Sequence, residues 1–492
     1  MLQRGEPAQR TGSSTPSTPS PHPNAQCSIF KTLVKTKIIY LSAVAAIFLF
    51  VCSSLRHLLF QSGGFDLGIY DQVVYLMSRG KPPVSSILGF HHMGNHAAWA
   101  VYPLALLYKI YPSAYWLLLV QAVSLASGAI PTYYLAKQAG LIEDKAVTMS
   151  GVYLLYPLIF NVNLFEFHPE VMAIPVFLGV ILAARLHKLI WFCAGTIFIL
   201  GCKAVLSLTV AAMGFWLLIF EKRRAYGVFA LIAGCSWFLI ATQIIIPTFS
   251  NSEAAAVARY SYLGDSVLDI IANLFLKPGL ILGKIFSPAT FGYLALLIAP
   301  VIWGLTPKHL TPLISAIPAL VINILSQKPE QRDLIHQYSL PILPFIILAV
   351  ISSLAANKSW LRKPKIIFIW ALVAFLALGK YGFFWSRYLR SIDNWQATRE
   401  AIAQVETKEA VLTTHSIYPH LSHRSKIQFV DDLSGGVPDL TQFKYILLNV
   451  RHPDGTRNPE FAANLVNQIK DNQLFELVKE RDEVYLFIKR VQ

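Results

Sequence analysis

Long apolar runs separated by short basic segments dominate the sequence. The first run covers residues 38–60 and follows the basic stretch KTLVKTK at 31–37. Most runs are close to the roughly 20 residues that an α-helix needs to cross the hydrocarbon core of a bilayer. The pattern therefore predicts an α-helical polytopic membrane protein, with further apolar runs at 114–136, 146–162, 171–186, 189–220, 225–247, 281–304, 309–326, 338–356 and 366–383.

The run at 189–220 differs from the others because it is too long for one crossing and short for two. As a helix it would measure roughly 48 Å, whereas the hydrocarbon core is about 30 Å thick. Lys203 is its only charged residue, and basic residues flank both of its ends. We therefore expect a helical hairpin with Lys203 near its outer tip, which brings the predicted number of transmembrane helices to about eleven.

Lysine and arginine cluster in short loops on one side of the predicted helices, which is the pattern of cytoplasmic loops. The clusters lie around residues 137–145, 185–188, 222–224 and 358–365. They place the N-terminus in the cytoplasm and, with an odd number of crossings, the C-terminus outside the plasma (inner) membrane. The segment 98–111 is apolar but short, which favours an interfacial or re-entrant helix within a long external loop at 61–113.

Both ends of the chain differ from the transmembrane domain, which we place at residues 31–385. Residues 1–30 are rich in Ser, Thr and Pro, a composition typical of a disordered tail. Over 395–492, helical and strand patterns alternate, which favours a small α/β extracytoplasmic domain with a partly parallel sheet. Helices are expected at 395–405 and 459–472, strands at 410–414, 426–430 and 444–450, and a closing hairpin at 475–490.

The composition agrees with this pattern. Only 14% of the 492 residues are charged and 54% are hydrophobic, whereas about 25% of the residues in a soluble domain are charged. These values exclude a soluble single-domain enzyme and a wholly disordered chain. The net charge is +15, and many of the basic residues cluster in these short loops, so we expect a membrane lipid rather than a nucleic acid as the partner. The five cysteines form no CxxC pair, and no nucleotide-binding motif is present.

Two carboxylates follow the first predicted helix, in the segment GGFDLGIYDQ at 63–72. Apolar residues recur at helical spacing over 67–78, which predicts an amphipathic helix on the outer surface. Asp66 stands at the start of this helix, so it is either an N-cap or a carboxylate aimed into an external cavity. Asp71 is a second candidate on the same helix. The residue pattern leaves both interpretations of Asp66 open.

A polar cluster, NLFEFHPE at 163–170, follows the third predicted helix. Ionisable side chains beside a membrane cost free energy and are therefore usually functional. This favours a cluster of Glu166, His168 and Glu170 that faces the same cavity as Asp66. The alternative is structural, because Glu170 follows Pro169 and would stabilise the first turn of the next helix through the helix dipole.

Basic residues complete the candidates for chemistry. A lysine inside an apolar run costs several kcal/mol unless it is paired or hydrated. We therefore expect Lys203 either to pair with an acid or to neutralise an anionic headgroup such as a phosphate. Arg332, His336 and Tyr338, in a predicted external loop, are further candidates for the same role.

The stretch FHHMGNHAAW at 90–99 holds three histidines. His92 and His96 are four residues apart, a spacing that suits a metal ion only if the stretch is helical. Gly94 and Asn95 disfavour a helix at this point. We therefore expect surface or interfacial histidines, with His96 kept as a lesser candidate for the site.

Several of these segments together resemble the bacterial membrane protein family called domain of unknown function 2079: FDLGIYDQ, NLFEFHPE, the intramembrane lysine, and PHLSHR at 419–424. That family resembles the glycosyltransferase C superfamily in layout. The resemblance implies that Asp66 is the loop acid that acts as a base or as a ligand of a divalent metal. It also implies that Glu170 is the second acid, that Lys203 is the membrane-embedded lysine, and that the donor is a polyprenyl-phosphate-linked sugar.

We therefore expect a membrane glycosyltransferase-like protein that uses a polyprenyl-phosphate sugar donor at the outer face. Asp66 and Glu170 would be catalytic. The residues expected to bind the lipid phosphate are Lys203, His168, Glu166, Arg332 and His336, with Asp71, His96 and Tyr338 as further candidates. Two alternatives stay open, namely a transporter of lipid or polysaccharide and a non-catalytic membrane scaffold. A transporter usually shows internal repeats, and none is visible in the sequence.

Overall fold

The computed structural model describes residues 23–251, 255–430, 438–453 and 459–490. The tail predicted at 1–30 lies largely outside these residues, and its last part is helical from Pro23 onwards. The helices before residue 390 are Pro23–Leu58, Ile69–Ser78, Met93–His96, Ala105–Ile110, Tyr115–Ser127, Ala129–Gln138, Glu143–Leu154, Pro157–Phe165, Glu170–Arg185, Leu189–Cys202, Leu206–Ile219, Arg224–Ile240, Ile246–Ser250, Val267–Leu276, Pro278–Ile285, Pro288–Ile298, Ile317–Leu325, Leu343–Ala355, Pro364–Leu378 and Phe383–Ser386.

Five helical segments in the described part of the chain, some of them built from consecutive helices, are long and apolar enough to cross a membrane: Thr36–Leu58, Tyr115–Gln138, Glu143–Phe165, Arg224–Ser250 and Pro329–Ala355. Two bent helix pairs raise this number to seven: Pro278–Ile285 with Pro288–Gly304, at 51°, and Pro364–Leu378 with Lys380–Asp393, at 43°. The other predicted runs correspond to shorter apolar helices: Glu170–Arg185, Leu189–Cys202, Leu206–Ile219 and Thr311–Leu325. Every predicted crossing therefore coincides with helical structure.

The long run at 189–220 is two helices that are interrupted at Lys203. The first helix ends at Cys202, and Lys203 itself has an extended backbone with φ −165° and ψ 136°. The second helix begins at Leu206. The run is therefore two helices that contact each other, as its length predicts, while the place of Lys203 at an outer tip stays a prediction. Lys203 itself belongs to neither helix.

Two short apolar helices flank the membrane domain. Trp99–Ile110 occupies the segment predicted to be interfacial, and it buries Val101 and Tyr108 while exposing Leu106 and Ile110. Val267–Leu276 has no buried residue at all. The run pattern does not identify this second helix, because ten residues are too few for a crossing.

The C-terminal residues form a five-stranded sheet with helices on both faces. The strands β1 (Val411–Thr413), β2 (Ile427–Phe429), β3 (Tyr445–Asn449), β4 (Phe475–Arg481) and β5 (Val484–Lys489) lie in the order β2-β1-β3-β5-β4. β1 pairs in parallel with β2 and β3, whereas β5 pairs antiparallel with β3 and β4. The sheet is therefore partly parallel, as expected, and its helices are Trp395–Ala403, Tyr418–Leu421 and Pro459–Lys470.

This C-terminal domain packs on the loop at 61–113, which keeps the name external loop after its predicted side of the membrane. Ile87 of the loop joins the apolar cluster on one face of the sheet, and helix Tyr418–Leu421 contacts the turn Gly64–Gly68. Eight of the ten residues of helix Ile69–Ser78 are buried. The expectation that this helix lies on the outer surface is therefore wrong, because the C-terminal domain and the helix Ala105–Ile110 cover it.

Candidate active site

A polar cavity of about 240 Å³ lies where the external loop, the helix break at Lys203 and the loop before helix Glu170–Arg185 meet. Its lining includes six residues singled out from the sequence: Asp66, His96, His168, Glu170, Lys203 and Tyr338. These residues are far apart along the chain. The fold therefore brings together most of the acids and bases that the sequence places in or beside apolar runs.

Lys203 and Glu170 form a buried ion pair in the wall of this cavity. The Lys203 ammonium donates to Glu170 Oε1 at 2.6 Å, and the two side chains are 11% and 4% exposed. Glu170 stands in the first turn of its helix, where the helix dipole favours a carboxylate. Its second oxygen, Oε2, has no hydrogen-bond partner among the described residues. The structural and functional interpretations of Glu170 are thus compatible.

Asp66 and His168 form a second pair, with 3.1 Å between Asp66 Oδ1 and His168 Nε2. Burial raises the pKa of Asp66, but the nearby positive charges, that of His168 first and then those of Lys203 and His336, outweigh this effect and lower the pKa. Burial lowers the pKa of His168, but Asp66 reverses this and raises it. The opposite ring nitrogen, Nδ1, lies 3.1 Å from the Glu166 carbonyl, which can only accept. Nδ1 therefore carries a proton, whereas Nε2 faces Asp66 at ion-pair distance without hydrogen-bond geometry. The raised pKa of His168 and the lowered pKa of Asp66 favour an imidazolium beside a carboxylate.

Asp66 is not a helix cap. The turn Gly64–Gly68 and the helix that follows it both begin without a side-chain cap bond. The Asp66 carboxylate instead lines the polar cavity and is 34% exposed. The N-cap interpretation is therefore wrong, and the interpretation of Asp66 as a carboxylate that faces a cavity fits the structure.

Glu166 does not line the polar cavity, contrary to its expected role in phosphate binding. Its carboxylate accepts from Arg56 at 2.8 Å and from the backbone N–H groups of Gly63 and Leu67 at 2.6 and 3.0 Å. Glu166 therefore anchors the turn that carries Asp66. The sequence could not show this, because Arg56 belongs to the first helix, Pro23–Leu58, 110 residues before Glu166.

Asp71 also lies outside the cavity. It is completely buried and accepts hydrogen bonds from Tyr108 at 2.5 Å and from the Ser422 hydroxyl, while His423 Nε2 lies 3.0 Å from its Oδ2. Ser422 and His423 belong to the C-terminal domain. Asp71 therefore links that domain to the external loop instead of facing substrate.

Arg332 and His336 are not part of the cavity lining either. Arg332 donates to the carbonyl of Ile324 at 3.2 Å, and His336 Nδ1 lies 2.6 Å from Asp333 Oδ2. Tyr338, two residues further along, does line the cavity, and the guanidinium of Arg259 lies 5.1 Å from its ring centre. The expected role of Arg332 and His336 as direct phosphate ligands therefore finds no support in the geometry.

The histidine stretch differs from its prediction. Met93–His96 forms a single helical turn in spite of Gly94 and Asn95. His92 is buried, with Nε2 3.1 Å from the carbonyl of Ala98, and His96 lines the cavity. These two histidines are therefore not surface residues. Among the described residues, no three His, Cys, Asp or Glu side chains are placed as a metal site would require.

Arg259 is a charged residue of the cavity lining that the sequence analysis does not identify. It lies with Tyr260 in the 3₁₀ helix Ala255–Tyr260 and supplies a second cation to the lining. The sequence does contain a feature that distinguishes this residue: Arg259 is the sole lysine or arginine between Arg224 and Lys277. An isolated cation in a long segment between apolar helices is a candidate for ligand binding.

An apolar groove of about 390 Å³ adjoins the polar cavity. The two share the lining residues Asn95, His96, Val205, Tyr260 and Ile322. The rest of the groove is almost entirely aliphatic, and one wall is the exposed helix Val267–Leu276. A ligand with an apolar chain and an anionic head would therefore find matching surfaces side by side.

The helical membrane domain, the polar cavity with its apolar groove and the C-terminal α/β domain define a polytopic membrane protein with a glycosyltransferase C-like fold. The chain belongs to the family of predicted membrane proteins called DUF2079, whose sequence pattern matches residues 56–486. None of the curated proteins compared with the chain matches it.

Several solved structures are similar to this one. ArnT from Cupriavidus metallidurans bound to undecaprenyl phosphate has a TM-score of 0.51 and 13% identity, with 92% of this chain and 98% of that chain covered. The apo form of the same protein has a TM-score of 0.46 and 12% identity, covering 92% and 97%. The oligosaccharyltransferase of Archaeoglobus fulgidus has a TM-score of 0.40 and 11% identity, covering 85% and 69%. The first of these likenesses shows a shared fold.

Proposed function

We propose that the protein is a membrane glycosyltransferase that takes a sugar from a polyprenyl-phosphate carrier at the outer face of the membrane. The observation that carries this proposal is the continuity between the cationic polar cavity and the apolar groove. An isoprenoid chain matches the groove, and its phosphate matches the cations. The ArnT structure of similar fold is bound to undecaprenyl phosphate.

The depth of Lys203 agrees with a lipid phosphate. The helices Leu189–Cys202 and Leu206–Ile219 each have 14 residues, or roughly 21 Å of helix, measured from their basic ends. The hydrocarbon core is about 30 Å thick. Lys203 therefore lies in the part of the membrane farthest from the basic loops, within reach of a lipid headgroup.

The charges of the cavity favour an anion. Lys203 and Arg259 balance the charges of Asp66 and Glu170 in the cavity lining. The raised pKa of His168 favours its protonated form, and protonation adds one net positive charge before a ligand binds. A phosphate would share Lys203 with Glu170. In this arrangement Glu170 holds the lysine in place, and Lys203 with Arg259 stabilises the charge that develops on the leaving phosphate.

Asp66 would act as the general base. The acceptor hydroxyl attacks the anomeric carbon, the bond from that carbon to the phosphate oxygen breaks with its electrons remaining on the phosphate, and Asp66 takes the hydroxyl proton. The positive charge of Lys203 contributes to the low pKa of Asp66. A bound phosphate offsets that charge, so Asp66 becomes a stronger base when the donor is present.

Binding of undecaprenyl phosphate to the protein in lipid nanodiscs, followed by native mass spectrometry, tests the cation assignment. Arg259→Met should weaken binding by about 10- to 100-fold, because a charge-assisted hydrogen bond contributes about 1.5–3 kcal/mol. Arg332→Met removes a cation that does not line the cavity and serves as the control. Equal losses in the two variants, or a wild-type protein that does not bind, would contradict the proposal.

The groove has its own matched pair of variants. Leu274 lines the groove, whereas the neighbouring Phe275 is exposed and does not. Leu274→Asn should weaken binding of undecaprenyl phosphate more than binding of the shorter farnesyl phosphate, because only the long chain fills the groove. Phe275→Asn should affect both lipids alike.

Transfer separates an enzyme from a transporter. Asp66→Asn should keep lipid binding but lose about 10²–10⁴ in rate, measured as release of undecaprenyl phosphate from undecaprenyl-phosphoryl hexoses. If the wild-type protein binds the lipid and moves it between leaflets without breaking the sugar–phosphate bond, the transporter alternative is correct.

A further inference from the structure

The turn that carries Asp66 is held by one short stretch of the C-terminal domain, residues 415–424. The backbone N–H of Gly64 donates to His415 Nε2 at 3.2 Å, two residues before Asp66. Five residues after Asp66, the buried Asp71 accepts from Ser422 and lies 3.0 Å from His423 Nε2. Asp66 therefore lies between two attachment points that both belong to the C-terminal domain.

The packing at this contact is close enough that no side chain fits. A Cβ atom on Gly63 would lie 2.2 Å from His415 Cε1, and one on Gly68 would lie 2.6 Å from Tyr418 Cδ1. Beside them, the ring of His420 stacks on His57 with 4.1 Å between ring centres and 6° between ring planes. Burial lowers the pKa of His420 to about 4, so this stack holds an uncharged ring at neutral pH.

The membrane domain holds the same turn from the other side. Glu166 accepts from the N–H groups of Gly63 and Leu67, and Arg56 donates to the same carboxylate. These contacts fix the backbone on the membrane side. The C-terminal contacts fix its other side, and the backbone between them sets where the Asp66 carboxylate stands relative to His168 and the cavity.

We propose that the C-terminal domain positions the base of the candidate active site, with His415, Ser422 and His423 as positioning residues that fix the backbone of residues 63–71. This inference rests on the proposed function for its chemical meaning. The structural part is independent of it, because it states only that the C-terminal domain orders the turn. None of the three residues lines the polar cavity, so each acts through the turn and not on substrate.

The attachment point at Asp71 involves a buried charged group. Asp71 is a fully buried carboxylate, and such a group is costly unless its hydrogen bonds are satisfied. Tyr108 supplies one hydrogen bond from within the loop itself, whereas Ser422 and His423 contact Asp71 only when the C-terminal domain is in place. Docking of the domain and order of the Asp66 turn are therefore coupled.

A matched pair of substitutions at His415 tests the proposal in the full-length protein in nanodiscs. Gln at this position can accept the Gly64 N–H through its side-chain oxygen, whereas Leu fills similar space and cannot accept. His415→Leu should speed hydrogen–deuterium exchange of the backbone at 61–70 by about tenfold, the effect of one lost hydrogen bond. His415→Gln should stay near wild type.

Sugar transfer and lipid binding should respond differently to these substitutions. In His415→Leu, kcat for sugar transfer should fall with little change in the KM for the lipid donor, and undecaprenyl phosphate should bind as in the wild type because Lys203 and Arg259 are untouched. Ser422→Ala, which removes a donor to Asp71, should have the same effect in milder form. His452→Leu is the control, since His452 pairs with Asp393 elsewhere in the C-terminal domain.

Two results would overturn the proposal. One is unchanged exchange at 61–70 in both His415→Leu and Ser422→Ala. The other is parallel loss of lipid binding and turnover, which would make these residues general stabilisers. If the wild-type protein does not bind undecaprenyl phosphate, the proposed function fails while the exchange measurement still decides whether the domain orders the turn.

Discussion

Lys203 and Glu170 place two opposite charges in a nearly dry wall of the cavity. The mutual attraction of such a pair offsets the cost of removing both charges from water. Removing one of the two side chains leaves the other charge buried and uncompensated. Removing both side chains leaves no uncompensated charge. The sequence leaves Asp66 and Glu170 as alternative partners of Lys203, and the structure pairs it with Glu170.

We expect Lys203→Met to lower the free energy of unfolding by about 3–5 kcal/mol, the range measured for a broken buried ion pair. The double variant Lys203→Met with Glu170→Leu should recover most of that loss. Thermal unfolding of the purified protein measures both. If the single and double variants melt alike, the two charges are not coupled.

The Asp66–His168 pair makes stability depend on pH in both directions. The pKa of Asp66 is lowered from 3.8, so its contribution is present above that value and disappears as pH falls through the lowered pKa. The pKa of His168 is raised from 6.5, so its contribution is present below that value and disappears as pH rises through the raised pKa. The pair therefore contributes fully between these two values.

We expect the difference in unfolding free energy between the wild type and Asp66→Asn to be largest between about pH 4 and pH 6.5 and to shrink on both sides. It should not exceed about 1 kcal/mol, because water screens a carboxylate that is 34% exposed. Melting curves across pH measure it, with the exposed Asp471→Asn as the control. A difference that grows above pH 8 would contradict the imidazolium–carboxylate assignment.

The helices were more predictable than the contacts between them. The apolar runs and the break at Lys203 follow from helix length and the cost of a buried charge, which are properties of single segments. The presence of Asp66, Glu170 and Lys203 in one cavity was also predictable, because charged side chains in or beside a membrane are costly unless they pair or face a polar cavity. The roles of Glu166 and Asp71 could not be predicted, because their partners Arg56 and Ser422 lie on elements whose docking depends on three-dimensional packing.

Helix Tyr418–Leu421 contacts the turn Gly64–Gly68. Gly68 has no side chain where it faces the Tyr418 ring, and this contact can be tested directly. Gly68 has helical dihedral angles, φ −64° and ψ −40°, so alanine is compatible with its backbone. The new Cβ would nevertheless lie 2.6 Å from the Tyr418 ring. We expect Gly68→Ala to cost about 1–3 kcal/mol through overpacking and to raise proteolysis between the two domains.

Gly292→Ala is the control for this substitution. Gly292 lies in helix Pro288–Ile298, and a Cβ there would have no neighbour within 4 Å. This variant should be neutral or slightly stabilising, because alanine reduces the freedom of the unfolded chain. If both glycine variants resist proteolysis equally, the contact between Gly68 and Tyr418 does not hold the domains together.

The orientation of the whole molecule decides which side of the membrane the cavity faces. Basic residues gather at the ends of the helices away from Lys203, as in the segments at 185–188 and 222–224. Exposed tryptophans lie near both ends of the helices, with Trp191 and Trp360 beside basic segments and Trp385 after the last long helix. Aromatic residues at both ends are typical of the two interfaces of a bilayer.

The positive-inside pattern therefore leads us to expect the C-terminal domain and the polar cavity on the outer side. After replacement of the five native cysteines, a cysteine at the exposed position Gln473 should react with a membrane-impermeant maleimide added to intact cells. A cysteine at the exposed position Lys188 should react only after the membrane is permeabilised. The reverse labelling would place Asp66 and Lys203 at the cytoplasmic side, and transfer from a lipid carrier at the outer face would then be impossible.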